Sequence, residues 1–90
     1  MTRPRCKFNI KFCPKIRRFK PEGIEACKLE FIEITPEEAE ALRLKDVNGL
    51  EQTEAAKEMN VSQSTFQRIL ASAHKKTSFA LIRGKAIKMS

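Results

Sequence analysis

Four polar side chains in the segment NVSQSTFQRIL, residues 60–70, are of the types that form hydrogen bonds to the edges of bases. Gln makes a bidentate contact to adenine, Arg makes one to guanine, and Ser suits either a base or a phosphate. The residues predicted to contact bases are Gln63, Ser64, Gln67 and Arg68. The alternative is an ordinary amphipathic helix whose polar face is only solvated, and the choice depends on the elements that surround this segment.

The segment itself is predicted to open a long helix. Ser62 is a suitable N-cap, and apolar residues recur at i, i+3, i+4 and i+7 in the order Phe66, Ile69, Leu70, Ala73. We expect this helix to extend to about Ile82 and to stop at Gly84, with Thr77 and Ser78 weakening its last turns. The part from Ser62 to Lys76 is predicted to be the recognition helix.

A shorter helix is predicted immediately before it, from Glu51 to Met59, with an inner face of Ala55, Ala56 and Met59. Asn60 tolerates the left-handed conformation that a sharp turn needs. Two short helices joined by about three residues allow the second helix to project from the body, as in a helix-turn-helix.

The clearest start of a helix lies further upstream, where Thr35 can act as N-cap, Pro36 suits the first helical position and Glu38 completes a capping box. This helix is predicted from Pro36 to about Asp46. The alternation after Gly23, in CKLEFIEI, predicts one strand, and its expected partner is Lys85–Met89. The predicted fold class is mainly α: a three-helix helix-turn-helix domain with a minor two-strand β element and a basic N-terminal arm.

Charge is distributed in three blocks along the 90 residues, whose net charge is +7. Residues 1–20 hold eight bases and no acid, residues 21–60 hold all eleven acids against four bases, and residues 61–90 hold six bases and no acid. Positive potential concentrated at both ends of the chain favours a polyanionic partner. We divide the chain into an arm, residues 1–22, and a helix-turn-helix domain, residues 23–90.

The basic arm has several interpretations. Its alternation from Lys7 to Phe12 is compatible with a strand, and an extended arm that follows phosphates or enters the minor groove is the other possibility, as is a merely solubilising tail. The predicted contacts to the DNA backbone combine arm and helix residues: Arg3, Arg5, Arg17, Arg18, Ser62, Thr65, Ser72, Lys75 and Lys76.

The remaining chemistry-bearing residues predict neither a metal site nor an active site. Cys6, Cys13 and Cys27 lack the closely spaced pairs of structural zinc sites, so free thiols are expected, with a metal or redox role left open for them and for His74. No nucleophile has a recognisable base partner, which predicts that the protein is not an enzyme and needs no cofactor. No signal-peptide core or membrane span is evident, which predicts a cytoplasmic protein.

Three runs resemble a small prokaryotic family of uncharacterised, predicted DNA-binding proteins whose helix-turn-helix is similar to region 4 of sigma factors. The runs are FKPEGI, LRLKDVNGLEQTEAAKEMNVSQSTFQRILASAHKK and ALIRGKAI, which span Phe19 to Ile87. The most specific positions are Gly49-Leu50, Glu54-Ala55-Ala56, Ser62, Thr65-Phe66 and Arg68. The resemblance implies a transcription-related role and a recognition helix from Ser62 onward. The other sigma regions are lacking, so a sigma subunit is not implied.

The predicted function is sequence-specific binding of double-stranded DNA by a transcriptional regulator, with a homodimer as a possible arrangement because one helix-turn-helix contacts few bases. Two alternatives remain. The charge pattern also suits an RNA- or ribosome-binding protein. The acidic middle also suits a module that docks on RNA polymerase through Glu37, Glu40, Glu54 and Glu58.

Overall fold

The computed structural model describes residues 10–11 and 17–90 as three helices and a small three-stranded sheet. The strands are β1 (Arg18–Phe19), β2 (Phe31–Ile34) and β3 (Ala86–Met89), and a 3-10 turn, Ala26–Lys28, precedes β2. The helices are α1 (Pro36–Leu42), α2 (Gln52–Met59) and α3 (Gln63–Arg83), and a π-helical segment, Arg43–Val47, continues α1. The protein is therefore mainly helical, as predicted.

The sheet has the order β1-β3-β2, so the C-terminal strand is central. The predicted pairing of β2 with β3 is confirmed, and it is parallel, with Ile32 opposite Ile87. Parallel neighbours need a long crossover, which here contains all three helices. The prediction of two strands is wrong, because Arg18 and Phe19 add an antiparallel third strand to the free side of β3. The predicted strand from Lys7 to Phe12 lies mostly outside the described residues.

Local signals determine where α1 begins. The Thr35 hydroxyl accepts from the Glu38 N–H at 3.2 Å, and the Glu38 carboxylate accepts from the Thr35 N–H at 2.9 Å, so the predicted capping box is confirmed. The α-helical part ends at Leu42 rather than near Asp46. From Arg43 the bonds widen to i+5, as in the 2.9 Å bond from the Asn48 N–H to the Arg43 oxygen. The wider turn still carries Leu44 into the core.

The connection between α2 and α3 is three residues long. Asn60 has the left-handed conformation, with φ of 60°, as predicted. The Ser62 hydroxyl accepts from the Thr65 N–H at 3.1 Å and caps α3. Gly84, with φ of 69°, ends α3 one residue after Arg83, close to the predicted end. The helix continues through Thr77, whose hydroxyl donates to the Ala73 oxygen at 2.8 Å.

One hydrophobic core joins the helices. It contains Ala41, Leu44, Ala55, Ala56, Met59, Phe66 and Leu70, with Val61 and Ile69 packed against it. Phe66 and Met59 are its largest fully buried side chains. Ala55 and Ala56 are small enough to let α3 cross α2 closely. The core therefore fixes which face of α3 is left exposed.

Candidate nucleic-acid interface

An exposed face runs along α3 opposite the core. We call it the outer face, and it consists of Ser64, Gln67, Arg68, Ala71, Lys75 and Ser78, all of which are exposed. Their spacing by three and four residues keeps them on one side of the helix. α3 contains no acidic residue over its 21 positions. An exposed helix side ordinarily mixes charges of both signs, so this composition is unusual.

Two cations of the outer face are free to bind an anion. Arg68 and Lys75 have no salt-bridge partner within residues 10–11 and 17–90. Some other cations of the described chain are paired, such as Lys85 with Glu30 at 2.5 Å, where the hydrogen bond from Lys85 lowers the pKa of the Glu30 carboxyl. The positive charge of Arg68 and Lys75 is therefore not neutralised by a carboxylate of the described chain.

The predicted base-contacting residues lie at the N-terminal end of α3. Gln63, Ser64, Gln67 and Arg68 are all exposed in its first two turns. Sequence reasoning overlooked Ala71, which lies four residues after Gln67 and four before Lys75 on the outer face. The period of the apolar residues in this helix identified only its buried side. A small exposed residue at position 71 permits close approach to a surface.

The residues in the middle of α3 that were predicted to contact the DNA backbone point in different directions. Lys75 is on the outer face, whereas Ser72 and Lys76 point to the flank of α3 that packs against α1. The Ser72 hydroxyl donates to Glu38 Oε2 at 2.5 Å, and the Lys76 ammonium donates to Glu38 Oε1 at 2.9 Å and to the Glu33 oxygen at 3.0 Å. Ser72 and Lys76 are therefore already engaged within the protein.

Ser62 and Thr65 also have structural partners. The Ser62 hydroxyl caps α3 and donates to Thr65 Oγ1 at 2.9 Å. Arg17 precedes β1 and Arg18 lies within it, so this end of the predicted arm belongs to the sheet. The guanidinium carbon of Arg18 lies 5.4 Å from the centre of the Phe31 ring. Arg3 and Arg5 lie outside the described residues.

Three buried carboxylates on α1 were not foreseen. Glu37, Glu38 and Glu40 are at most 8% exposed. Glu40 accepts from Arg43 Nε at 2.9 Å and from Arg43 Nη2 at 2.8 Å, and donating to Glu40 raises the pKa of the Arg43 guanidinium. Glu37 and Glu40 cannot form the exposed acidic docking surface that was one alternative, because they are buried. Glu54 and Glu58 of that set are exposed on α2.

Glu38 joins α1 to α3. Burial raises the pKa of its carboxyl, but hydrogen bonds from Ser72, from the Thr35 backbone and from Lys76 outweigh burial, so the pKa lies below its ordinary value. The group is therefore an ionised carboxylate at neutral pH. It links the start of α1 to the middle of α3.

The remaining candidates for metal or catalytic chemistry are separated. His74 Nε2 lies 2.6 Å from Asp46 Oδ2, which joins α3 to the π-helical segment. Cys27 is exposed, with its sulfur 3.8 Å from Glu25 Oε1. Within residues 10–11 and 17–90, no three His, Cys, Asp or Glu side chains converge on a point suited to a metal ion. Cys6 and Cys13 lie outside the described residues.

No helix in the described part of the chain is long and apolar enough to cross a membrane.

The fold and surface define a small, mainly helical protein with one exposed, acid-free helix face. Residues 1–90 match the family described as "Protein of unknown function DUF134", and the chain belongs to this family. Membership of an uncharacterised prokaryotic family agrees with the resemblance found in the sequence. The binding of DNA by that family stays a prediction.

Bacterial relatives carry the name UPF0251 protein. One from Dehalococcoides mccartyi is 51% identical over 90 residues, covering 99% of this chain and 76% of its own length. One from Clostridium novyi is 49% identical over 90 residues, covering 100% of this chain and 61% of its own. One from Prosthecochloris aestuarii is 49% identical over 85 residues, covering 94% and 55%. The chain thus spans between about half and three quarters of these relatives. No solved structure gives a significant match.

Proposed function

We propose that this protein binds double-stranded DNA by inserting α3 into the major groove, and that it acts as a regulator of transcription. The observation that carries the proposal is the outer face of α3, where two cations with no ion-pair partner among the described residues lie among Gln and Ser side chains, with no carboxylate on that face. Phosphates surround any helix in a groove, so a carboxylate on such a face would oppose binding.

The local geometry supports a helix-turn-helix. α2 has eight residues, the connection has three, and α3 begins with a Ser62 cap. In this motif the first turns of the second helix lie over the base edges. Those turns here contain Gln63, Ser64, Gln67 and Arg68, all exposed.

Individual roles follow from side-chain chemistry. Arg68 suits a bidentate contact to guanine, and Gln67 suits one to adenine. Ala71 is short enough to bring the helix axis near the bases and to contact a thymine methyl group. Lys75, further along, suits a phosphate at the wall of the groove. These four residues form the centre of the proposed interface.

A salt titration of labelled duplex DNA tests the proposal. Fluorescence anisotropy with a random-sequence duplex should give an affinity that falls linearly with the logarithm of salt concentration, because binding releases counterions from the phosphates. A hairpin RNA and a single-stranded RNA of equal length serve as competitors. Tighter binding to either RNA would mean that RNA, rather than duplex DNA, is the partner. No binding to any of the three would contradict nucleic-acid binding altogether.

A charge-matched pair of variants tests the location of the interface. Lys75→Glu should abolish most of the binding, since it puts a carboxylate on the outer face. Lys28→Glu changes the net charge equally but lies in the 3-10 turn before β2. Equal losses in the two variants would mean that only total charge matters, and would contradict the assignment of α3.

A further inference from the structure

Building on the proposed function, we propose that Glu38 is a positioning residue that fixes the rotation of α3 about its own axis. Through that rotation it determines which side chains of the outer face meet the bases. Glu38 itself lies on α1 and is only 6% exposed. Its effect on recognition is therefore exerted through α3.

The Glu38 carboxylate connects three elements. Oε2 accepts from the Ser72 hydroxyl at 2.5 Å, and Oε1 accepts from the Lys76 ammonium at 2.9 Å and from the Thr35 N–H at 2.9 Å. Lys76 also donates to the Glu33 oxygen on β2. Ser72 and Lys76 are four residues apart, so both bonds hold the same flank of α3.

A second polar contact holds α3 from its other side. His74 Nε2 lies 2.6 Å from Asp46 Oδ2 on the segment that continues α1. Ser72 and His74 flank Ala73, which is fully buried between them. The α1 helix and its extension therefore hold α3 by polar contacts on both sides of Ala73.

Phe66 and Leu70 determine which face of α3 is buried, but beyond these first turns the apolar contacts restrain the exact rotation of the helix weakly. In its middle and C-terminal parts α3 presents Ala73 and Ala80 to the interior, and the facing part of α1 contains Ala39 and Ala41. Methyl groups interlock little, and the hydrophobic effect is non-directional. Hydrogen bonds are directional and lose strength steeply when their geometry is distorted. The bonds of Glu38 therefore supply the angular restraint that alanines do not.

Small rotations matter for recognition. A side chain tip about 6 Å from the helix axis moves by about 2 Å when the helix turns by about 20°. A shift of that size breaks a bidentate contact, whose donor–acceptor distances vary by only a few tenths of an ångström. Contacts to phosphates tolerate it better, because Lys and Arg side chains are long and the attraction is not directional. Loss of the restraint should therefore reduce sequence preference more than overall affinity.

Three conservative variants separate positioning from stability. Ser72→Ala removes one bond to α3, and Glu38→Gln keeps the volume while removing the charge opposite Lys76. Thr35→Ala is the matched control, because it removes the hydroxyl that caps α1 but leaves the bonds from Glu38 to Ser72 and Lys76 intact. Thermal denaturation of all three establishes that they fold and how far each is destabilised.

The first readout needs no DNA. Residual dipolar couplings of the α3 amides vary periodically along the helix, and the phase of that variation reports the rotation of α3 relative to α2. We expect a changed phase in Ser72→Ala and Glu38→Gln and an unchanged phase in Thr35→Ala. An unchanged phase in all three variants would overturn the proposal.

The second readout is the ratio of affinities for a preferred and a scrambled duplex. We expect about a tenfold fall in this ratio for Ser72→Ala and Glu38→Gln, comparable to the loss of one base contact, and a change below about twofold for Thr35→Ala. A fall of the same size in Thr35→Ala would assign the effect to stability and contradict positioning. If the wild type showed no preferred duplex, the proposed function would fail while the dipolar couplings still decided the role of Glu38.

Discussion

Arg68 and Lys75 should make different contributions to DNA binding because of their places on α3. They are seven residues apart, which is about 10 Å along a helix that rises about 1.5 Å per residue. Ser64 and Lys75 are eleven residues apart, or about 16 Å, which exceeds the width of about 12 Å of the major groove. If the first turns of α3 lie over the bases, Lys75 lies at the phosphates.

We therefore expect Arg68→Ala to weaken binding to the preferred duplex by about 1–3 kcal/mol, the usual value of a bidentate base contact. Lys75→Ala should weaken binding to preferred and scrambled duplexes by the same factor. It should also reduce the slope of log affinity against log salt concentration by about 0.9, the value for one phosphate contact. Anisotropy titrations of both duplexes at four salt concentrations measure all these quantities.

Arg68→Lys is the control that separates charge from geometry. It keeps the positive charge but loses the planar fork that makes two parallel hydrogen bonds. The salt slope should stay near that of the wild type while the preference for the target falls. Full preference in Arg68→Lys, or a loss of preference in Lys75→Ala with an unchanged slope, would refute the assignment of base and phosphate contacts.

Four further predictions concern stability and are measured by chemical denaturation. Arg43→Met should lower the free energy of unfolding by about 2–3 kcal/mol, which is somewhat below the usual value for a broken buried ion pair because Arg43 is 27% exposed. Combining Arg43→Met with Glu40→Met should recover most of this loss. Phe66→Ala should cost about 3–5 kcal/mol, since Phe66 is fully buried, and Phe66→Leu much less. Gly84→Ala should cost about 1 kcal/mol because of its positive φ, although nothing lies within 4 Å of the added Cβ. Despite its burial, Glu38 has a pKa lowered by hydrogen bonding, so its contribution is complete above about pH 4.3 and is lost as pH falls further. Wild type and Glu38→Gln should accordingly differ at pH 7, and the difference should shrink as the pH falls through the pKa of Glu38 in the folded protein; a difference that stayed constant in acid would contradict this linkage.

Features determined by neighbouring residues were predictable from the sequence. The capping box at Thr35, the left-handed turn at Asn60 and the stop at Gly84 each depend on a few adjacent positions. The period of Phe66 and Leu70 similarly identified the buried side of α3. Local signals of this kind act over one or two turns, which is why the starts of the three helices and the end of α3 agree closely with the structure, whereas the change to π-helical bonds after Leu42 was not predicted.

Features determined by distant partners were not predictable in the same way. Glu38 is buried because it meets Ser72, 34 positions away, and no local pattern distinguishes it from an exposed glutamate at the start of a helix. β1 has only two residues and exists because β3 offers it a free edge. The same limit applies to Ser72 and Lys76, which were predicted to face DNA as polar residues of α3 but point to α1.

Selection from a random duplex-DNA library at physiological salt tests the central claim most directly. The purified protein is incubated with the library, bound duplexes are recovered and amplified through several rounds, and the survivors are sequenced. We expect an enriched motif for the wild type, with a two-fold axis in that motif if two copies bind together, and a relaxed preference at one position for Arg68→Ala. Retention of duplexes without any enriched motif, or the same motif in wild type and Arg68→Ala, would contradict sequence recognition by the outer face of α3.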